Sequence, residues 1–343
     1  MAGERSLLGL LLTAALLAGP PAAAADPALI AAARREGAVT WYTTQIINQF
    51  GRPAIALFEK SYGIKVTVLR GDAVELAARL IAEARAGRVA ADLFDGTANA
   101  PALKKAGVAL QWLPEAAAKL PAAYRDPDGY WVATNLYVHT PVFNTDLVPR
   151  DGAPQSWQDL LDPKWRGKLA WASHATTSSA PGFIGLVLGE LGEEKGLAYL
   201  QALAQQRIVP VAGSARALVD QAIAGEYPIV LQVFNHQAVV SARLGAPVDW
   251  IPMSPAMAIL SVAGIVRGAP HPNAGKLLVD FFLSRAAQEI FRDGDYIPVD
   301  PDVPPREPSL RPDGTRFRAT FYSPEEIDAG MPHWVTLFNQ LFK

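Results

Sequence analysis

One pattern recurs along this chain: an apolar run, then a short stretch rich in Gly, Ser, Thr or Asn, then an amphipathic helical pattern. The first instance is AVTWYTTQIINQF at residues 38–50, where strand residues 39–42 lead through Thr43 and Thr44 into a helix. Further strands of this kind begin at residues 64, 168 and 208, and another ends at residues 93–94. Strands that alternate with helices in this way predict βαβ units around a parallel sheet.

Length, charge and cysteine content exclude several classes of protein. The chain has 343 residues, which at about 150 residues per domain indicates two lobes. Its net charge of -2 gives no attraction to nucleic acid or to an anionic membrane surface. It has no cysteine, so disulfides, thiolate nucleophiles, zinc-thiolate sites and lipid attachment through cysteine are excluded. No cofactor is expected.

Residues 1–25 differ from the rest of the chain. Arg5 precedes the apolar run 7–18, Gly19 and two prolines interrupt it, and residues 23–25 are three alanines. This pattern is typical of a cleavable signal peptide, because the apolar run is too short to span a bilayer. We therefore expect export to the periplasm without membrane insertion.

The junctions between strands and helices are candidate ligand contacts. Parallel sheets bind ligands beyond the carboxyl ends of their strands, where helix N-termini offer unpaired N–H groups. At any one junction, Thr43 or Thr44 could instead simply cap a helix, an effect worth about 1 kcal/mol. The repetition of the pattern favours several junctions converging on one ligand. Besides the first junction, these are Thr97, the run 173–179 with His174, Thr176 and Thr177, and Ser214.

Four stretches, taken in order, resemble the extracellular solute-binding proteins of family 1. The resemblance is to the ferric-iron-type branch, the periplasmic binding proteins of ABC importers. It rests on residues 57–96, on residues 135–149 followed by 156–171, on GSARALVDQAIAGEYPIVL at 213–231, and on residues 271–303.

The resemblance implies an α/β protein of the periplasmic binding protein type 2 fold. Two α/β lobes would be joined by a hinge of crossing strands, near 134–144 and 257–266, and would close on a solute in the cleft between them. The expected partners are that small-molecule solute and an inner-membrane ABC permease, and the protein would be a monomer. The implied boundaries are 26–135 plus 262–300 for lobe 1, 136–261 for lobe 2, and 301–343 for a C-terminal segment packing on either lobe.

The nature of the solute is less constrained. Iron-binding members hold Fe(III) partly through two adjacent tyrosines after the strand that follows the GEYP-like segment, and here Asn235 and His236 stand in that place. A small polar or anionic organic solute, such as a phosphonate, phosphate ester or carboxylate, is therefore the leading interpretation. Ferric iron, bound directly or as a chelate, is the alternative.

Several side chains have two interpretations. Arg216 and, second, Arg70 could bind an anion or be solvated surface residues, and His236 could contact solute or be an ordinary partly buried imidazole. Tyr42, Tyr137 and Phe234 could form walls of the pocket or belong to the core. The remaining histidines, apart from His174, are assigned to structural or surface roles: His139, His271 and His333.

An enzyme is the less favoured class. The sequence contains no GxSxG, HExxH, P-loop or GxGxxG motif, so a secreted hydrolase remains only as an alternative. The predicted ligand-binding residues are Thr43, Thr44, Thr97, His174, Thr176, Thr177, Ser214, Arg216, Asn235 and His236.

Overall fold

A computed structural model of the protein describes residues 25–312 and 314–342. The predicted signal peptide, residues 1–25, lies outside these residues except for Ala25. Within the described residues, no helix combines the length and apolar character needed to cross a bilayer.

The helices occur where the sequence pattern indicates them. A π-helical turn, Ile47–Gly51, precedes the second helix. The α-helices are α1 Pro27–Glu36, α2 Arg52–Tyr62, α3 Ala73–Arg85, α4 Asn99–Lys105, α5 Ala180–Leu191, α6 Glu193–Ala204, α7 Ala215–Ile223, α8 Asn235–Arg243, α9 Pro272–Phe282, α10 Arg285–Asp293 and α11 Pro324–Leu341.

The strands of the described residues form one 12-stranded sheet. They are β1 Ala38–Thr43, β2 Lys65–Arg70, β3 Leu93–Asp95, β4 Ala109–Leu110, β5 Val132–Asn144, β6 Leu169–Ala172, β7 Val209–Val211, β8 Ile229–Phe234, β9 Val248–Trp250, β10 Ala256–Val266, β11 Ile297–Pro298 and β12 Ala319–Tyr322. The main order is β2-β1-β3-β10-β5-β8-β6-β7. Strand β1 pairs in parallel with β2 and β3, and β6 with β7 and β8. The predicted α/β architecture with parallel units is therefore confirmed.

Two helix ends have the residues that typically cap helices. Gly63 ends α2 in the left-handed conformation, and the Ser214 side chain caps α7 by accepting from the Ala217 amide. The interpretation of Thr43 or Thr44 as a helix cap is wrong, because the helix starts three residues later and its first residue follows Ile46, which has no capping side chain.

Two long antiparallel strands, β5 and β10, join the halves of the sheet. Strand β10 pairs with β3 and β4 on one side, and β5 pairs with β8 and β9 on the other. The two strands pair with each other from Met257–His139 to Ala263–Val132. They occupy the predicted crossing regions, and the exact lobe boundaries stay a prediction. We call the β1–β4 side the first lobe and the β6–β9 side the second lobe.

The C-terminal segment contacts both lobes. Strand β12 pairs in parallel with β10, and α11 packs on α5, where Gly185 leaves room for the Trp334 ring: a Cβ at Gly185 would lie 2.4 Å from it. At the start of α11, Glu325 accepts from Trp131 Nε1 at 3.0 Å, and Asp328 pairs with Lys105 of the first lobe. The body of the helix therefore lies on the second lobe, with its first turns tied to the first lobe.

Candidate functional site

The junction hydroxyls of β1 bind a buried carboxylate of the neighbouring strand. Thr43 Oγ1 donates to Asp95 Oδ2, and Thr44 donates to Oδ1 from its amide at 2.8 Å and from Oγ1 at 2.7 Å. Trp41 Nε1 donates to Oδ2 at 2.7 Å. Burial raises the pKa of the Asp95 carboxyl, and the four hydrogen bonds act in the opposite direction. Both threonine hydroxyls thus donate their protons to a carboxylate of the protein itself.

Gln45, next in the chain, connects this junction to the crossing strands. Its Nε2 donates to Asn135 Oδ1 of β5 and to Ser261 Oγ of β10, both at 3.0 Å. Its Oε1 accepts from the Tyr137 hydroxyl at 3.3 Å. Since Gln45 is 2% exposed, the first-lobe junction is held directly against the strands that link the lobes.

Four rings from both lobes pack together beside Gln45. We call Tyr137, Phe234, His236 and Tyr296 the aromatic cluster. The Tyr137 centroid lies 5.0 Å from Phe234, 5.9 Å from His236 and 5.8 Å from Tyr296. His236 and Tyr296 are 5.4 Å apart. These are contact distances between rings, so the cluster forms a packed wall, which we refer to below as the aromatic wall.

The two histidines at this wall are neutral at pH 7. Burial, aided by the charge of Arg216, lowers the pKa of His236 to about 4. Burial also lowers the pKa of His139, whose ring lies 4.6 Å from Phe234, to about 3. Neutral imidazoles and phenols can donate or accept hydrogen bonds, but they supply no charge to a ligand.

One arginine of each lobe bonds to a residue next to this wall. Arg70, at the end of β2, donates from Nε to the Gln45 carbonyl oxygen at 3.3 Å. Burial raises the pKa of the Tyr296 hydroxyl, and the charge of Arg70 acts weakly in the opposite direction. No ion pair involves Arg70 in residues 25–312 and 314–342. Arg216, in the first turn of α7, pairs with Asp220 and donates to Ser241 Oγ at 2.9 Å, close enough to His236 for its charge to act there.

The hydroxyl-rich run 173–179 forms a compact loop before α5. Ser179 Oγ donates to the carbonyl oxygens of His174 and Thr176. The Thr177 carbonyl accepts from Gln232 Nε2 at 3.0 Å. His174 and Thr176 are exposed, and no hydrogen bond or ring contact joins their side chains to the aromatic cluster in the part of the chain that the structure describes.

The remaining predicted residues differ in position. Thr97 Oγ1 donates to the Leu260 carbonyl at 2.6 Å, one residue from the Ser261 contact of Gln45. Asn235 Nδ2 donates to the Leu310 carbonyl at 3.1 Å, and its Oδ1 is buried without a partner among the described residues. Leu310 is fully buried, so this hydrogen bond anchors the chain before β12 inside the protein.

The predicted set thus falls into three groups. Thr43, Thr44 and Thr97 converge on Asp95 and the crossing strands, whereas Asn235, His236 and Arg216 lie at the aromatic cluster or beside it. His174, Thr176, Thr177 and Ser214 belong to second-lobe junctions without a contact to that cluster. Tyr42 is not part of the wall, because its hydroxyl donates to Glu83 at 2.8 Å within the first lobe.

Sequence reasoning missed three residues of this site: Asp95, Gln45 and Tyr296. Asp95 is the last residue of the buried strand β3, and a carboxylate in that place could have indicated a partner for neighbouring hydroxyls. Tyr296 follows α10, and nothing in its local sequence indicates contact with residues 137 and 236.

An ion pair lies beside the site, at the C-terminal end of α8. Arg243 Nη1 lies 2.7 Å from Asp295 Oδ2. Helix α8 packs on β5, β9 and α7, whereas α10, which leads into Asp295, packs on α2 and α9. The pair therefore joins the second lobe to the first, next to Tyr296 in sequence.

Comparison with known families gives a match over most of the chain. The profile of a family described as bacterial extracellular solute-binding proteins matches residues 91–319. The chain is 27% identical over 202 residues to a candidate 2-aminoethylphosphonate-binding periplasmic protein of Salmonella typhimurium, and the match spans 56% of each chain. It therefore spans little more than half the length of that relative. An Fe(3+)-binding periplasmic protein of Serratia marcescens is 26% identical over 246 residues, or 68% of this chain and 70% of that one.

Solved structures share the fold. The periplasmic binding protein AfuA from Actinobacillus pleuropneumoniae, with exogenous fructose-6-phosphate bound, has a TM-score of 0.74 at 21% identity, covering 89% of this chain and 98% of that one. A ferric binding protein from Campylobacter jejuni has a TM-score of 0.74 at 18% identity, covering 88% and 99%. At these identities the likeness establishes the fold alone.

Proposed function

Because the chain belongs to the bacterial extracellular solute-binding proteins, we propose that it captures a small anionic organic solute between its lobes in the periplasm and delivers it to an ABC importer. The relatives matched are binding proteins, not enzymes. The proposed ligand class is a phosphonate, a phosphate ester or a carboxylate. Conversion of the solute is not part of the proposal.

The observation that carries the proposal is the pair of arginines at one aromatic wall. Arg70 of the first lobe donates to the carbonyl oxygen of Gln45, whose side chain accepts from Tyr137. Arg216 of the second lobe donates to Ser241 of α8, the helix whose first turn contains His236. The rings of Tyr296 and His236 are 5.4 Å apart. An anion at this wall would receive charge-assisted hydrogen bonds from both lobes, which is how a ligand favours a closed state over an open one.

Ferric iron is the less favoured ligand. Direct binding of Fe(III) by tyrosine would require phenolate oxygens, yet burial raises the pKa of both Tyr137 and Tyr296, and both hydroxyls donate to glutamine side chains. In the residues described, no group of three or more His, Cys, Asp or Glu side chains is arranged to hold a metal ion. These features support an organic anion instead.

A ligand panel tests the proposal. We expect 2-aminoethylphosphonate, fructose 6-phosphate or a simple carboxylate to raise the melting temperature, because a ligand at 100 times its Kd stabilises the folded protein by about 2.7 kcal/mol. Ferric citrate and a neutral sugar serve as comparison ligands. A shift with ferric citrate alone, accompanied by visible colour, would favour iron. Release of phosphate from the ester would favour the hydrolase.

The Arg243–Asp295 pair provides a prediction about closure. Replacing Arg243 with Met should leave the Asp295 carboxylate, whose side chain is 8% exposed, without its partner in the closed form. Opening would hydrate it, so solute affinity should fall about ten-fold, or roughly 1–2 kcal/mol. Small-angle scattering at fixed solute concentration should show a larger radius of gyration than in the wild type.

The matched control is Arg285→Met. Arg285 pairs with Glu289 inside α10, so the variant removes an ion pair that lies within one lobe. Its affinity and scattering should equal those of the wild type. Equal behaviour of the Arg243 and Arg285 variants would mean that the pair does not stabilise closure.

A further inference from the structure

Strand β8 contains a bulge opposite a proline. The pairing of β5 with β8 runs from His139–Phe234 and Thr140–Val233 to Val142–Val230. Leu231 and Gln232 together therefore lie opposite the single residue Pro141. Proline has no backbone N–H to give to the ladder, and a bulge is the usual way for a strand to pass such a position.

Gln232 is the residue of this bulge whose backbone is left-handed. Its φ is 57°, a conformation in which a side chain is crowded and which glycine adopts freely. The residue is nevertheless a glutamine and is 2% exposed. A non-glycine residue retained in this conformation, inside a buried strand, indicates that its side chain has a role.

The side chain of Gln232 reaches the hydroxyl-rich loop. Its Nε2 donates to the Thr177 carbonyl at 3.0 Å and contacts Met257 Sδ of β10 at 3.5 Å. From the other side, Gly182 of α5 packs on the same carbonyl, because a Cβ there would lie 2.0 Å from the oxygen. The Thr177 carbonyl is thereby held between its own helix and β8, and Met257 of the crossing strand β10 contacts the glutamine that binds it.

We propose that Gln232 is a positioning residue: the bulge opposite Pro141 directs its side chain at Thr177, and this fixes the loop 173–179 relative to the end of β8, where Asn235 and His236 begin α8. The same bulge lies three residues before Asn235, so it also sets the start of α8 relative to that loop. The expected effect on solute binding rests on the proposed function. The expected effect on the order of the loop rests on the geometry alone.

Two substitutions distinguish the effect of the side-chain hydrogen bond from the effect of the backbone strain. Gln232→Leu keeps the strain and removes the donor, and Gln232→Gly removes both. We expect hydrogen exchange of the amides in 173–179 to rise about five- to ten-fold in both variants. The melting temperature of the Gly variant should stay near that of the wild type, since relief of strain offsets the lost hydrogen bond.

The matched control is Arg207→Gly. Arg207 also has a left-handed backbone, with φ 52°, but it lies in the turn after α6. The control should leave the exchange of 173–179 unchanged. Unchanged exchange in both Gln232 variants, or an equal rise in the control, would overturn the proposal.

Solute affinity gives the second reading. With whichever anion of the panel binds the wild type, both Gln232 variants should bind about five- to ten-fold more weakly, and Arg207→Gly should bind normally. Faster hydrogen exchange in 173–179 with unchanged solute affinity would mean that the order of the loop does not contribute to solute binding. If the wild type bound no solute, the proposed function would fail, while the exchange result would still decide whether Gln232 orders the loop.

Discussion

Replacing Asp95 with alanine is expected to lower the free energy of unfolding by about 3–5 kcal/mol. The change leaves four donors without their acceptor: the Trp41 indole, the Thr43 hydroxyl, and the amide and hydroxyl of Thr44. Each buried donor left without a partner costs about 1–3 kcal/mol. Removal of a carboxylate that is itself costly to bury offsets part of the sum. Urea denaturation measures the change.

The control for this substitution is Asp128→Ala. Asp128 is exposed, and its partner Lys104 retains the ion pair with Asp126. Exposed pairs are worth about 0–1 kcal/mol, so the control should differ little from the wild type. A loss below about 1 kcal/mol for Asp95→Ala would contradict the account of the β1 junction as an internal hydrogen-bond centre.

Acidification should destabilise the protein between pH 6.5 and about pH 4. The pKa values of His139 and His236 are lowered to about 3 and about 4, so the folded protein keeps both rings neutral while the unfolded chain binds protons below pH 6.5. Stability is therefore fully present above pH 6.5 and is lost as the pH falls. At pH 5 the loss is about 2 kcal/mol per histidine.

Urea unfolding at pH 7.5 and pH 5 tests this slope. The double variant His139→Gln and His236→Gln should lose about 4 kcal/mol less than the wild type over that interval, whatever its stability at pH 7.5. A double variant that loses as much as the wild type would show that these two imidazoles are not the buried neutral groups described here.

The fold was predictable because its signals are local. Alternation of apolar residues indicated β2, and the left-handed Gly63 and the capping Ser214 marked helix ends. Such signals act over a few residues, and the structure agrees with most of them. Their failure at Thr43 and Thr44 has a physical cause: a carboxylate more than 50 residues away accepts both hydroxyls and competes with capping.

The site was less predictable because its partners are distant in sequence. Gln45 forms hydrogen bonds with residues 90 and 216 positions away. The contact of Tyr296 with His236 depends on how α10, which precedes Tyr296, packs on the first lobe. The hydroxyl pattern located the carboxyl ends of the parallel strands, where the sequence predicts a ligand. It could not indicate which hydroxyls the protein would use internally, since that depends on tertiary contacts.

In the proposed function, closure is the step that links this geometry to transport. A solute shifts the lobes only by the contacts that it gains in the closed form. Arg70 and Arg216, one from each lobe, would supply such contacts under that proposal, and the Arg243–Asp295 pair is a contact between the lobes themselves. The same shift would present a distinct closed form to a permease.

The most direct test of this account is a calorimetric titration of one anion into the wild type, Arg70→Gln and Arg267→Gln. Arg267 bonds to the Gly107 carbonyl, away from the wall. We predict one bound phosphonate or phosphate ester per wild-type chain, about 10–100-fold weaker binding by Arg70→Gln, and normal binding by Arg267→Gln. Equal affinities in all three proteins, or no anion binding by the wild type, would contradict the account.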